Sequence, residues 1–344
     1  MGRGGRAAPG RIGCLRGRVG RLGAVARRRD GAAHEESSVT AAAPVRPATS
    51  LAAHPADRLL EAFDRIGAPV CVGLDPVLER LPAAVGGGSP AETLERFSLG
   101  VLDAIREHVA CVKIQSACYE RHGAAGVAAL HAVCAGAGER GFEVILDAKR
   151  GDIGITAEHY AAASAGHGAD WTTVNGYLGA DGIEPFLAAA PDRHQAGRPG
   201  GIRSGAFALV RTSNPSGDAL QSLRLADGRS IAEALADLVV SIGAAHVGGS
   251  GFSALGAVVG ATKRQDAAAL RARMPQQVFL VPGYGAQGGG VDDVLPCFRP
   301  DGRGAIVTAS RSVLYPSDGA GSWQQAIARA AASFHREIRL GLGR

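Results

Sequence analysis

No stretch of this chain approaches the roughly 20 consecutive apolar residues that a membrane-spanning helix needs, so a soluble protein with no membrane partner is expected. The six cysteines, Cys14, Cys71, Cys111, Cys118, Cys134 and Cys297, form no CxxC pair and show no metal-ligand spacing with histidine. Buried, reduced thiols in a cytoplasmic compartment are the corresponding expectation. The ten histidines include no HExxH, and His159 beside Glu158 reads as helix surface rather than as a ligand. No GxGxxG follows the first apolar run, so the usual fingerprint of a dinucleotide-binding open sheet is missing. With neither a metal triad nor a cofactor motif, no metal and no cofactor are expected.

The net charge of +5 belongs to one end of the chain. Residues 1–50 hold ten Arg against Asp30, Glu35 and Glu36, a local +7 that leaves −2 for the rest. A mildly acidic body offers no sign of a nucleic-acid groove, and no nucleic-acid partner is expected. The Gly/Ala/Arg segment has no hydrophobic period and lacks the apolar core of a secretory signal, so residues 1–54 are expected to form a disordered extension. Its composition also fits a polyanion-binding tail, an organelle-targeting extension or a start site placed too far upstream.

What the chain does have is alternation. A length of 344 residues would allow two average domains, but a single α/β barrel commonly takes about 250 residues. From residue 57, strand-like runs at 70–75, 110–115, 143–149, 170–175, 206–212, 257–261, 277–281 and 304–308 are separated by helix-like patterns. The clearest helical patterns lie at 91–108, 126–140, 156–165, 231–242, 263–273 and 323–339. Runs apolar enough to be buried on both faces argue for a parallel sheet, and eight repeats predict a (β/α)8 TIM barrel over residues 55–344. A doubly wound open sheet is the alternative. The barrel is favoured because Asp75, Lys113, Asp147, Lys149, Ser213, Gln287 and Arg311 all sit at or just past strand C-terminal ends, which a barrel gathers at one mouth. Residues 191–205 read as a loop insertion, and 214–230 as a long connection that overhangs the mouth.

The densest functional signal is Asp147-Ala148-Lys149-Arg150-Gly151-Asp152-Ile153, directly behind the apolar run Val144-Ile145-Leu146. With strand alternation, Asp147 and Lys149 leave the same face. Charges at the end of a buried strand are costly unless paired or put to use, so this cluster marks a candidate active site; a strand-end ion pair feeding a solvated turn is the plainer alternative. Lys113, Asp147, Lys149 and Asp152 alternate in sign, and opposite charges a few ångströms apart keep one another ionised. A second signal is Pro282-Gly283-Tyr284-Gly285-Ala286-Gln287-Gly288-Gly289-Gly290 after the seventh strand, with Ser310-Arg311 after the eighth. Loops in these two places form the common phosphate site of such barrels: glycine amides approach the anion and Arg supplies a planar fork of donors. A flexible glycine-rich turn is the alternative for the glycines alone.

Taken in order, Val72-Gly73-Leu74-Asp75-Pro76, Val112-Lys113-Ile114-Gln115, the Asp147–Ile153 string with Thr156-Ala157-Glu158-His159-Tyr160, Arg211-Thr212-Ser213-Asn214-Pro215-Ser216, the glycine run and Ala309-Ser310-Arg311-Ser312 resemble the orotidine 5'-phosphate decarboxylase family in its longer bacterial branch. The resemblance spans residues 55–340 and implies conversion of orotidine 5'-phosphate to UMP and CO2. It implies that Lys149 donates the proton to C6, that Asp152 faces the substrate carboxylate and that Asp147 orients Lys113 and Lys149. It assigns Asp75 and Lys113 to the ribose hydroxyls, Ser213 to the pyrimidine, and Gln287 and Arg311, with Gly285 and Ser310 beside them, to the phosphate end. It also implies a homodimer in which Asp152 and Thr156 reach into the neighbouring subunit's site. Thr156 stands, alternatively, where a helix N-cap is expected.

Two rival functions follow from the same residues. A related barrel group carries Asp-x-Lys-x-x-Asp on the same strand but works on sugar phosphates with Mg2+, for which Glu158 or Asp75 would have to be ligands. A non-catalytic phosphate-binding barrel is the other, and an intact charge array argues against it, because a binding module has no reason to keep costly clustered charges.

Overall fold

Short runs rich in Val, Ile, Leu and Ala become strands because β-branched and aliphatic side chains pack well on a pleated surface that is covered on both sides. They are β1 (Val70–Leu74), β2 (Cys111–Gln115), β3 (Glu143–Arg150), β4 (Trp171–Val174), β5 (Gly205–Arg211), β6 (Leu255–Val259), β7 (Phe279–Val281) and β8 (Ala305–Ala309). The structure is a computed structural model that describes residues 54–189, 204–285, 288–317 and 321–344. Every strand pairs in parallel with its sequence neighbour, and β8 returns to β1 through Val70 and Val307, closing the barrel. Each strand expected from sequence is present, with its ends displaced by no more than two residues.

Helices cover the outside of the barrel. Three of them, Pro90–Ile105, Ile231–Gly243 and Trp323–Gly341, start on capping boxes in which Ser89, Ser230 and Ser322 exchange bonds with Glu92, Glu233 and Gln325. These bonds satisfy amides that the first helical turn leaves free. The outer core between strands and helices holds Phe97, Leu102, Val112, Val144, Val259, Val307 and Phe334, all buried.

The barrel interior is closed at its N-terminal end by the helix Pro55–Ile66, which the strand-and-helix pattern did not announce. Leu59, Leu60 and Phe63 on its inner face pack with Cys71, Ile145, Trp171 and Phe207 inside the barrel. The buried Arg58 guanidinium on the same helix meets Glu143 at 3.5 Å and Asp170 at 3.4 Å, at the start of β3 and just before β4. With an apolar plug at that end, polar function is left to the C-terminal mouth, as barrels of this class arrange it.

Five of the cysteines are free thiols, four of them buried and Cys118 partly so. Among the described residues no helix is long and apolar enough to cross a membrane. Of the segment expected as an N-terminal extension, all but His54 lies outside the described residues, as does most of the expected insertion at 191–205.

Candidate active site

The end of β3 departs from regular pairing. Leu146 pairs with Thr172, but the next pair is Arg150 with Val174, so β3 takes four steps while β4 takes two. The surplus residues bulge, and within the bulge Lys149 adopts φ 46°, the left-handed region that side chains rarely occupy. Its amide donates to Thr173 Oγ1 at 3.0 Å. The same hydroxyl donates to Asp147 Oδ1 at 2.8 Å.

Asp147 is the hub of the mouth. Its Oδ1 also receives the Lys149 ammonium at 2.6 Å, and its Oδ2 receives Lys113 Nζ at 2.8 Å and Gln115 Nε2 at 3.2 Å. Lys113 reaches on to Asp75 Oδ1 at 3.3 Å, which completes an alternating row of Asp75, Lys113, Asp147 and Lys149. Burial alone would raise the Asp147 carboxyl, yet the charges of Lys113 and Lys149 and their hydrogen bonds outweigh it and hold the group well below the usual carboxylate range. Burial would likewise lower the Lys113 ammonium; Asp75 and Asp147 reverse this and push it well above the ordinary lysine value. Both central groups are therefore ionised across the physiological range. Lys149, by contrast, leaves about half of its side chain exposed and borders open space while its Nζ stays bonded to Asp147.

That space is a cavity of ≈ 400 Å³ lined by the whole row together with Gln115 and Thr173, by Thr212, Ser213 and Asn214 after β5, by Pro282, Gly283 and Tyr284 after β7, and by Ser310 and Arg311 after β8. Leu209, Val258 and Leu280 give it an apolar side. Two glycines make the close approaches possible. A Cβ on Gly73 would collide with Ser310 Oγ, and one on Gly260 would lie 2.8 Å from the Ser213 backbone.

Seven sequence-expected residues thus meet on one cavity: Asp75, Lys113, Asp147, Lys149, Ser213, Ser310 and Arg311. Gln287 lies outside the described residues. Gly285 does not line the cavity, and its amide is committed to the Gly289 carbonyl at 2.8 Å. Asp152 is also outside the lining, with its Oδ1 accepting from the Ile153 amide at 2.8 Å. The helix that follows runs Gly154–Gly166 with Ile153 as its cap, so Thr156 is not an N-cap: the helix starts two residues earlier than its periodicity indicates, and Thr156 stands exposed in its first turn. Glu158, weighed as a metal ligand, lies in a separate groove with Asp181 and Glu184. Among the described residues no group of three or more His, Cys, Asp or Glu side chains is placed to hold a metal ion.

The family model for "Orotidine 5'-phosphate decarboxylase / HUMPS family" matches residues 68–326. The chain belongs to that family. A curated orotidine 5'-phosphate decarboxylase of Rhodopirellula baltica is 37% identical over 307 residues, covering 83% of this chain and 98% of the relative. One of Deinococcus radiodurans is 40% identical over 249 residues, covering 72% and 84%. Among solved structures, the OMP decarboxylase of Leishmania donovani superposes with a TM-score of 0.64 at 30% identity, covering 82% of this chain and 98% of that one.

Within this decarboxylase family frame, two cavity residues, Gln115 and Thr173, were not expected from sequence. Gln115 stands in the quoted Val112–Gln115 motif without a role, and Thr173 looks like one more β-former in a buried strand. Tyr284 stands inside the glycine run; its hydroxyl donates to Glu337 Oε2 at 2.7 Å and its ring lies 5.2 Å from that of Phe334, so it ties the loop to the final helix. A polar residue facing the interior at a strand's mouth end was the available signal for Thr173 and Gln115.

Proposed function

We propose that this chain decarboxylates orotidine 5'-phosphate to UMP and CO2, with Lys149 delivering the proton to C6. The observation that carries the reading is the row Asp75, Lys113, Asp147 and Lys149, ending in a half-exposed ammonium on a cavity that also holds Ser310 and Arg311. Loss of CO2 leaves electron density on a carbon with no conjugated sink, so a fixed ammonium beside that carbon stabilises the transition state more than the ground state. Asp147 holds both lysines on one carboxylate. Arg311 and Ser310 take the phosphate, Asp75 and Lys113 the ribose hydroxyls, and Ser213 the pyrimidine.

Asp152 faces the substrate carboxylate from across a twofold axis in this reading, with Thr156 beside it. The support is a run of exposed apolar residues around them: Ile153, Ile155 (68% exposed), Tyr160, Tyr177 (81%) and Leu178. Apolar surface of that kind, flanking two functional residues that miss their own cavity, fits a subunit interface. The enzyme would act as a cytoplasmic homodimer without metal or organic cofactor.

Following the loss of ultraviolet absorbance as orotidine 5'-phosphate is converted to UMP, with and without EDTA, tests substrate and metal independence together. Turnover unaffected by the chelator is expected; no turnover, or turnover abolished by EDTA and restored by Mg2+, would overturn the reading.

A further inference from the structure

Among the described residues, the backbone of the left-handed turn at Lys149 has one side-chain partner, and it comes from the neighbouring strand. Thr173 is 1% exposed and sits where β3 carries its surplus residues against β4. Its hydroxyl has one proton and two lone pairs. The proton goes to Asp147 Oδ1, and a lone pair takes the Lys149 amide, so both bonds coexist without conflict. Asp147 Oδ1 is also the atom that receives the Lys149 ammonium. One hydroxyl therefore fixes Lys149 at both ends, through its backbone amide and through the carboxylate oxygen to which its charge is bonded.

We infer that Thr173 is a positioning residue for proton delivery: it holds the strained bulge and the rotation of the Asp147 carboxylate so that the Lys149 ammonium stays aimed into the cavity. The inference rests on the reading of Lys149 as proton donor. A left-handed non-glycine residue costs about 1–2 kcal/mol and persists only when its surroundings over-determine it. Remove the hydroxyl and the amide loses its bond, Asp147 Oδ1 loses a donor, and the turn is free to relax. Misplacement of a reacting group by about 1 Å can cost on the order of 10²-fold in rate. Substrate binding should depend on it less, because Ser213 follows β5 and Ser310 and Arg311 follow β8, away from the bulge.

The test is Thr173→Val, which keeps the shape and removes the hydroxyl, beside Thr173→Ser, which keeps the hydroxyl. Expected are a fall in kcat of about tenfold or more for Val with KM within about twofold of wild type, UMP affinity unchanged, and recovery in Ser to within about threefold. If Val does not fold, Thr173→Ala against Thr173→Ser makes the same comparison, since those two differ only by the hydroxyl. A Val variant with near-wild-type kcat, a loss confined to KM, or Ser as impaired as Val or Ala would each overturn the inference. Lys149→Ala measured alongside separates the two levels. An active Lys149→Ala removes the proton-donor reading itself, whereas an inactive one beside a normal Thr173→Val removes only the role of Thr173.

Discussion

At the scale of single residues, the mouth of this barrel sets a buried carboxylate between two lysines on one cavity, Lys113 buried and Lys149 half exposed. Lys149 is the exposed end of the row, and its removal takes away the proposed proton donor while Asp147 keeps Lys113, Gln115 and Thr173 as partners. Lys149→Ala is therefore expected to lower kcat by at least about 10²-fold, the usual contribution of a positioned acid, with far-UV circular dichroism and UMP binding preserved. Retention of more than a few per cent of kcat would remove Lys149 from the proton transfer. Asp147 makes a different prediction, through pH. Its folded-state value lies below the unfolded one, so the unfolded chain takes up the proton first on acidification; the stabilisation is complete above the unfolded value of about 3.9 and is lost as pH falls toward the folded one. Asp147→Asn should be less stable than wild type at pH 6, because it strips a buried ammonium of its main partner. The gap between the two proteins should narrow by roughly 0.7 kcal/mol at pH 3.5, read from denaturant unfolding at each pH. A gap independent of pH would mean that Asp147 is not held ionised by its lysines.

Elements explain why those residues stay where they are. Arg211, buried at the end of β5, bonds Asp266 at 2.7 Å, Asp218 at 2.6 Å and Gln221 at 3.1 Å, and Lys263 adds a 2.7 Å bond to Asp218. The connection 214–230 is thereby tied down beside the Thr212, Ser213 and Asn214 wall. On the opposite side of the chain order, Arg311 opens the short helix Arg311–Leu314 directly after β8, with Ser310 packed against Gly73 of β1. Arg311→Ala should lower kcat/KM for orotidine 5'-phosphate by about 10-fold or more yet change little for the bare nucleoside, because a charge-assisted bond is lost only where phosphate is present. Equal losses on both substrates would move Arg311 away from the phosphate. The strands and their charged ends were legible because an aliphatic run is costly to leave in water, and an Asp or Lys placed directly behind it is costly to bury without a use. The bulge was not: Lys149 carries none of the Gly, Asn or Asp signals of a left-handed turn, and its cause lies on β4, 24 residues away. Arg211 stood in view within a motif, but its partner Asp266 is 55 residues distant, a separation that local pattern cannot report. The plugging helix Pro55–Ile66 escaped notice because it follows a segment with no periodicity and lies off the β/α alternation.

For the whole molecule, the question is whether one barrel holds a complete site. Asp152 and Thr156 stand next to exposed Ile153 and Ile155 and do not line the cavity of their own chain. If Asp152 serves a partner's cavity across a twofold axis, the two kinds of lesion can be sorted between sites. In a mixed dimer of Lys149→Ala and Asp152→Ala subunits, one site then receives both lesions and the other receives neither. Random re-association at equal concentrations makes half of the dimers mixed and leaves half of their sites intact, so roughly a quarter of wild-type activity should return from two nearly inactive proteins. The result is specific to shared sites. If Asp152 acts within its own chain, every site in every combination keeps one lesion and nothing is regained. Subunit exchange is verified by mass before activity is read, so that silence in the assay reports geometry rather than failed mixing. A second arm replaces Ile155, the most exposed aliphatic residue of the patch, by Glu: a charge there should shift the dimer toward monomer and cut activity in proportion, because burying an unpaired carboxylate in an apolar interface is strongly unfavourable. A monomeric Ile155→Glu protein with full activity would show that Asp152 completes the site from its own chain.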